Sequence, residues 1–254
     1  MSGHSKWANI KHRKAAGDAK KGKIFTKHAK WVALAARSGG DPVMNHALRA
    51  AIDNARAENM PRENIERAIK KGTGELKGEA VIEEVFYEGF GPGGTAIYIQ
   101  TMTDNKNRTF GNLKVMMNKN DGRMGEAGSV GWMFKKLGLI LVVVGTLGRA
   151  EEVELSAIDA GAADVKVADD VDENGEVKNN KIVEVYTDPT ELFKVKAALE
   201  SGGVVTKSAV ITYVPSVEVE MREGSEEFHQ LMKLLEIIEN DEDVGEIYSN
   251  AKII

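Results

Sequence analysis

The spacing of apolar residues changes once along this chain, near residue 80, and that change constrains the fold more than any other feature. Before it, Ile24, His28, Trp31 and Ala35 follow one another at steps of three and four, with Phe25, Val32 and Ala36 alongside. Leu48, Ala51, Ile52 and Ala55 make a second stripe, and Ile65, Ala68 and Ile69 a third. Such spacing lines apolar groups along one side of a helix. Ser38-Gly39-Gly40 stops the first helix. Asp41-Pro42 is a start signal for the second, an acid that caps free amides followed by a ring tolerated at the first helical position. The third opens near Pro61 and closes at Gly72. The expectation is three short helices around a modest core.

Beyond Ala80, branched and aromatic residues take over. Val81 to Tyr87 and Thr95 to Thr103 read as strands joined through the turn-forming run Phe90-Gly91-Pro92-Gly93-Gly94. A helix is expected over Asn107 to Asn118, with Phe110, Leu113 and Met117 on one face. Ser129 to Phe134 reads as a strand, and Gly138 as a break before the strand Leu139 to Val144. Helix Glu151 to Ala160, strands Asp164 to Val167 and Lys181 to Tyr186, helix Thr190 to Ser201 and strand Val204 to Tyr213 follow. With Leu139 to Val144 they make the βαββαβ order of a ferredoxin-like unit. The pieces from 81 to 134 lack a helix and a strand, which helix Ser225 to Asn240 and a strand at Ile247-Tyr248 supply. The expected fold is α+β and multidomain. A basic arm and three-helix domain span 1–79, a discontinuous α+β domain 80–136 plus 215–254, and an inserted ferredoxin-like α+β domain 137–214.

Charge divides the chain at the same place. Residues 1–77 hold 17 Lys and Arg against 7 Asp and Glu; residues 78–254 hold 17 against 32. A basic end on an acidic body points to a polyanion-binding region, or to two halves that attract each other and mask the basic face. Residues 1–23 are dense in lysine, with Trp7 and Ile10 as their large apolar groups, and read as an extended or partly ordered arm. Lys11, Arg13, Lys14, Lys20, Lys21, Lys23, Lys27 and Lys30 are the candidate phosphate contacts, because binding a polyanion takes several cations on one surface. The competing reading is a solvated face. Trp7 is placed to stack on a base or to dock onto its own helical domain. Gly91, Pro92, Gly93 and Gly94 are a candidate phosphate or partner loop, weighed against a plain hairpin turn. They lack the Gly-Lys-Ser/Thr ending of a nucleotide-binding loop.

Little in the chain points to chemistry. The absence of cysteine excludes disulfides, cysteine zinc sites and cysteine nucleophiles together. His4, His12, His28, His46 and His229 form no metalloprotease pattern, and there is no Gly-x-Ser-x-Gly elbow. Glu83 and Glu84 are adjacent in a strand and point to opposite faces. Asp169, Asp170, Asp172, Glu173 and Glu176 lack calcium-loop spacing and read as a solvated acidic hairpin. No enzyme activity, catalytic residue, metal or cofactor is expected. The longest apolar run, Leu137 to Val144, is too short to span a bilayer, and no apolar signal-peptide run follows the basic start. A cytoplasmic protein without membrane or small-molecule partners is expected.

Several long strings closely resemble YebC-type proteins. They are Gly3-His4-Ser5-Lys6-Trp7-Ala8-Asn9-Ile10-Lys11-His12-Arg13-Lys14, Lys23-Ile24-Phe25-Thr26-Lys27, and Met60-Pro61-Arg62-Glu63-Asn64-Ile65-Glu66-Arg67-Ala68-Ile69-Lys70-Lys71-Gly72. Tyr87-Glu88-Gly89-Phe90-Gly91-Pro92-Gly93-Gly94, Thr103-Asp104-Asn105-Lys106-Asn107-Arg108-Thr109, and Gly128-Ser129-Val130 with Trp132-Met133-Phe134 continue the match. The resemblance runs essentially end to end. It implies a helical domain followed by two α+β domains, one interrupting the other, with no cofactor and no catalytic residue. It implies either DNA binding with transcriptional control, or action on the ribosome through ribosomal RNA or tRNA that relieves stalling at proline-rich sequences. Mitochondrial relatives are translational activators. Lys6 and His12 join the candidate nucleic-acid contacts through this motif. The match departs at Gly17, at His28-Ala29-Lys30-Trp31 and at Asp121.

Overall fold

The structure, a computed structural model, describes residues 18–76, 78, 80–171 and 177–254. The fold is α+β, with a helical region preceding sheet-rich parts. Among the described residues, Lys135–Val214 form one compact unit, and those up to Phe134 form another together with Pro215–Ile254.

The helical region comprises α1 (Asp18–Ala36), α2 (His46–Ala57) and α3 (Arg62–Gly72). The first helix starts six residues before the expected Ile24, so the stretch read as an arm is helical from Asp18 onward. Ala and Lys are strong helix formers, and a first turn that extends a packed helix needs no apolar groups of its own. Val32 and Ala36, with Phe25 and Ala29, pack on Leu48, Ile52, Ala55, Ile65 and Ala68 of the other two helices. The next residue round, Ala33, packs instead with Ile82 and Met102, flanked by Trp31 and Leu34. The helix is therefore buried on two sides, and its stripe differs from the expected line through Ile24, His28 and Ala35.

Gly72 is more than a stop. A Cβ there would lie 2.1 Å from the Ala33 carbonyl oxygen and 2.7 Å from the Ala36 Cβ, so α3 and α1 approach too closely for any side chain. The start of α2 also differs from expectation. Asn45, not Asp41, caps it by accepting from the Leu48 amide at 3.0 Å, while the Asn45 amide group donates to the carbonyls of Ala35 and Gly39. Asp41 accepts from Val43 N within the preceding turn.

After this region come β1 (Glu83–Phe90), β2 (Ala96–Thr103), α4 (Lys106–Lys119) and the short β3 (Arg123–Met124). The segment 129–134 is not the expected strand: a 3-10 turn over Gly131–Met133 leads directly into β4 (Phe134–Val144). That strand runs through Gly138 without a break. Gly138 pairs with Thr187, where a Cβ would fall 2.3 Å from the Thr187 Oγ1, so the glycine serves a close approach. Then follow α5 (Leu147–Asp159), β5 (Asp164–Val171), β6 (Val177–Thr187), α6 (Leu192–Ser201) and β7 (Thr206–Pro215). These strands lie in the order β5-β6-β4-β7. Ile140, Val142, Val183 and Val185 pack with Ala150, Val153 and Ala157 of α5 and Val195 and Leu199 of α6. Much of the stretch 169–180, expected as a polar loop, continues the two strands. Lys181 pairs with Asp169, and Lys178 lies 3.8 Å from Asp170.

The chain closes with β8 (Val219–Met221), α7 (Glu226–Glu239), β9 (Val244–Ser249) and β10 (Ala251–Ile253). Strand β9 joins the earlier strands in the order β3-β1-β2-β9. β2 is antiparallel to both neighbours, with Ile97 opposite Gly89 on one side and Ser249 on the other. On one face of β2, Ile97 and Ile99 are buried, as are Leu113 and Met117 of α4 and Leu231, Leu235 and Ile238 of α7. On the other face, Met102 meets Ala33 of α1, and Tyr98 stacks between Phe86 and Phe134.

Candidate nucleic-acid interface

Lys6, Trp7, Lys11, His12, Arg13 and Lys14 lie outside the described residues. Lys20 and Lys21 fall in the first turn of α1. The other three cations share one side of that helix and meet the C-terminal end of α7. Lys23 Nζ donates to the Asn240 carbonyl at 3.4 Å and Lys27 Nζ to the Glu239 carbonyl at 2.7 Å. Lys30 Nζ donates to the Glu242 carbonyl at 2.7 Å and to Asp243 Oδ1 at 2.7 Å. The last carbonyls of a helix have no partner within it and carry its negative dipole end. Lys27 and Lys23 satisfy that end at Glu239 and the cap residue Asn240, Lys30 binds the turn after it, and together they hold α1 on the sheet.

Asp243, which sequence reasoning passed over, is the centre of this junction. Its side chain is 6% exposed, against 16% for Lys30. Arg108 Nη2 reaches its two oxygens at 3.1 and 2.8 Å while also donating to Asp104. Thr109 Oγ1 donates to it at 2.7 Å, and the Asp243 carbonyl accepts from Met102 N. Burial alone would raise its carboxyl pKa. The hydrogen bonds from Lys30, Arg108 and Thr109 outweigh burial and hold it below the usual carboxylate range. The junction borders an open polar cleft of about 510 Å³ lined by Lys30, Asp104, Arg108, Asn112, Asp241, Glu242 and Asp243.

The glycine-rich loop is a tight connection between β1 and β2. The Gly91 amide donates to the Thr95 carbonyl at 2.8 Å, and the Gly94 amide closes back on Gly91. Gly93 and Gly94 have φ of 68° and 74°, the left-handed region that glycine enters freely. Pro92 is buried. A Cβ on Gly91 would sit 2.8 Å from Ile97 Cδ1 and 3.2 Å from Leu231 Cδ1. Two amides that a phosphate would need are thus spent on closing the turn.

Glu88 was also missed. Its carboxylate accepts from the amides of Gly128, Val130 and Gly131 at 2.8, 2.6 and 2.9 Å. Burial pushes its pKa up, but those three amides and Ser129 together bring it below the ordinary value. Glu83 and Glu84 diverge as expected: Glu83 pairs with Lys106, and Glu84 accepts from Gln100 on the opposite face. Burial lowers the His28 pKa, as for a packed side chain. Among the described residues, no group of three or more His, Asp or Glu is arranged to hold a metal ion, and no helix is long and apolar enough to cross a membrane.

Residues 5–75 match the TACO1/YebC protein N-terminal domain, and residues 82–251 match the TACO1/YebC second and third domain. The chain belongs to the TACO1/YebC family. A probable transcriptional regulatory protein of Kosmotoga olearia is 47% identical over all of this chain and 95% of its own length. One from Thermoanaerobacter pseudethanolicus is 45% identical over all of this chain and 98% of its own. The crystal structure of a conserved hypothetical protein from Aquifex aeolicus superposes with a TM-score of 0.82 at 39% identity, covering 96% of each chain.

Two strings that carried the resemblance to YebC-type proteins have structural work in this family member. Thr103 to Thr109 caps α4 and anchors Asp243. The Asn105 side chain accepts from Arg108 N, the Thr103 hydroxyl accepts from Asn105 N, and Arg108 and Thr109 reach Asp243. Tyr87 to Gly94 supplies Glu88, which pins the loop Gly128 to Gly131.

Proposed function

We propose that this chain is a non-enzymatic, nucleic-acid-binding regulator of gene expression that engages its target through the basic N-terminal region. The observation that carries this reading is the charge partition, 17 cations against 7 acids in residues 1–77. It occurs in a chain whose relatives are named probable transcriptional regulatory proteins. Three of the candidate cations have partners within the fold. Lys23, Lys27 and Lys30 donate to the end of α7, to the turn after it and to Asp243, which supports a reading in which Lys6, Lys11, Arg13, Lys14, Lys20 and Lys21, with Trp7 and His12, make the phosphate contacts. The turn geometry of Gly91 to Gly94 favours a scaffold role over a phosphate cradle.

Duplex DNA at a promoter is the target that the relatives' names suggest. A second reading, a ribosome-associated factor that binds ribosomal RNA or tRNA and relieves stalling at proline-rich sequences, is favoured by charge. Residues 78–254 hold 32 acids against 17 cations. A body of that sign is repelled by a broad duplex footprint, yet it is compatible with a local contact on folded RNA and with basic proteins around it. A cytoplasmic location fits either target. The strand order β5-β6-β4-β7 on a βαββαβ sequence supports a ferredoxin-like plan for the insert 137–214. The division into 1–79, 80–136 plus 215–254, and 137–214 belongs to the same reading.

Crosslinking in cells followed by sequencing of the bound nucleic acid tests the proposal. Reads concentrated on ribosomal RNA or tRNA are expected from the ribosomal reading, and promoter DNA from the transcriptional one. Recovery of neither above background contradicts the proposal as a whole.

A further inference from the structure

We infer that the solvent face of α4 is a second nucleic-acid contact, which takes the sugar–phosphate backbone of a folded RNA. The inference rests on the RNA reading above and extends it to a part of the chain that whole-half charge counting hides. After residue 77 the protein is strongly acidic, yet five of its 17 cations there fall between Lys106 and Arg123, against the single acid Asp121. Residues 105–120 contain no acid at all. The helix buries Thr109, Leu113 and Met117. Its opposite side therefore presents Asn107, Gly111, Lys114, Val115 and Asn118, all exposed. Lys106 and Arg108 are paired with acids. Lys114 and Lys119 pair with none among the described residues. Of the neighbouring acids, Asp243 and Asp104 are bound by Arg108, and Asp241 accepts from Asn112.

Gly111 is the second observation. Glycine is the poorest helix-interior residue after proline. At Gly72, Gly89 and Gly122 a Cβ would collide with neighbouring atoms, which explains those glycines. At Gly111 a Cβ would meet nothing within 4 Å, and its φ is not in the left-handed region. Neither packing nor backbone conformation requires it. What it provides is bare helical backbone at the centre of an exposed basic face, where a partner's own backbone can come close. Phe110, 41% exposed, flanks the face with its ring 6.1 Å from that of Tyr87, giving an apolar surface for a ribose or base. Lysine point charges and asparagine amides suit phosphate and 2′-hydroxyl contacts, which recognise shape rather than sequence. A duplex groove needs a longer run of cations than this face offers.

The test uses the full chain with purified ribosomes and, separately, a duplex DNA. Because the protein has no cysteine, Val115→Cys gives a single attachment point for a hydroxyl-radical probe. Leu155→Cys, 65% exposed on acidic α5, is the control. The expected result is localised cleavage of ribosomal RNA from position 115 and none from 155. Lys114→Gln with Lys119→Gln should weaken ribosome binding about fivefold to tenfold and flatten the log–log salt slope by roughly one to two units. Gly111→Leu should weaken binding while raising the melting temperature, a combination that a structural role for the glycine would not produce. If the wild type binds ribosomes and both the double lysine variant and Gly111→Leu match it in affinity and slope, α4 is a solvated face and the inference fails, while the proposed function stands. Weakening on DNA alone overturns RNA as the occupant. If the wild type binds neither ligand, the proposed function and this inference fail together.

Discussion

Asp243→Ala should lower the stability of the helix-and-sheet unit by roughly 3 kcal/mol or more, because removing one partner leaves buried charge uncompensated. Lys30 and Arg108 both point at this carboxylate, and Lys30 is itself largely buried. Asp243→Asn keeps the shape and a hydrogen-bond acceptor for Thr109, so it should fall between wild type and Ala. Lys30→Met combined with Asp243→Asn should cost less than the sum of the two single changes, by about 0.5–3 kcal/mol, the coupling of residues in direct contact. The pH dependence has a definite sign. The folded carboxyl sits below its unfolded value, near 3.9, so its contribution is complete above that value and is lost as pH falls through the folded pKa. Glu88 is displaced in the same direction, so the Asn variant should keep part of the acid transition and lose the rest. Denaturant melts across pH, with amide exchange along α1, measure both effects. A wild-type-like Asp243→Ala protein would show that the junction is not what holds α1 in place.

Gly72→Ala should destabilise by about 2–3 kcal/mol, even though alanine is the better helix former by about 1 kcal/mol. The new Cβ would meet a backbone carbonyl at 2.1 Å, and backbone cannot rotate aside as a flexible side chain can. Relief requires α3 to move off α1, opening the cluster of Val32, Ala36, Ile65 and Ala68. The same substitution at Gly111, in open space, should instead stabilise. A urea melt of the two variants reads the opposite signs directly. Equal stability of Gly72→Ala and wild type would mean that the two helices do not approach this closely.

What could be read from the sequence follows from how each feature is encoded. The stripes of α2, α3 and α7 were legible because a helix buried on one side repeats its apolar residues on one line. For α1 that logic misled: Val32 and Ala33 are buried in different clusters, and a helix covered on two sides has no single line to find. The turn at Gly91 to Gly94 was legible because positive φ selects glycine. Ser129 to Phe134 looked like a strand because Val130 and Phe134 are buried residues in a branched, aromatic run. Nothing local reveals that Glu88, some forty residues earlier, ties the backbone of that run into a turn. Asp243 was hidden in the acidic stretch from Glu239, which as a string is indistinguishable from a solvated end. The cations of α1 were found, but three of them serve carbonyls more than 200 residues away, a pairing that no local spacing records. The basic face of α4 was written in the sequence, yet averaging over an acidic half concealed it.

The proposed function assigns nucleic-acid binding to N-terminal cations other than Lys23, Lys27 and Lys30, which hold α1 on the fold. Its most direct test changes Lys11, Arg13, Lys14, Lys20 and Lys21 together to Gln in the full chain, leaving the three docking lysines in place. Affinity for a structured RNA and for duplex DNA is then measured at four salt concentrations beside a thermal melt. If about four of the five cations touch phosphate, the log–log salt slope for the target should flatten by roughly 3 units. On this reading the melting temperature should stay within a degree or two, because the three lysines that anchor α1 remain in place. A slope unchanged for both ligands would contradict the account.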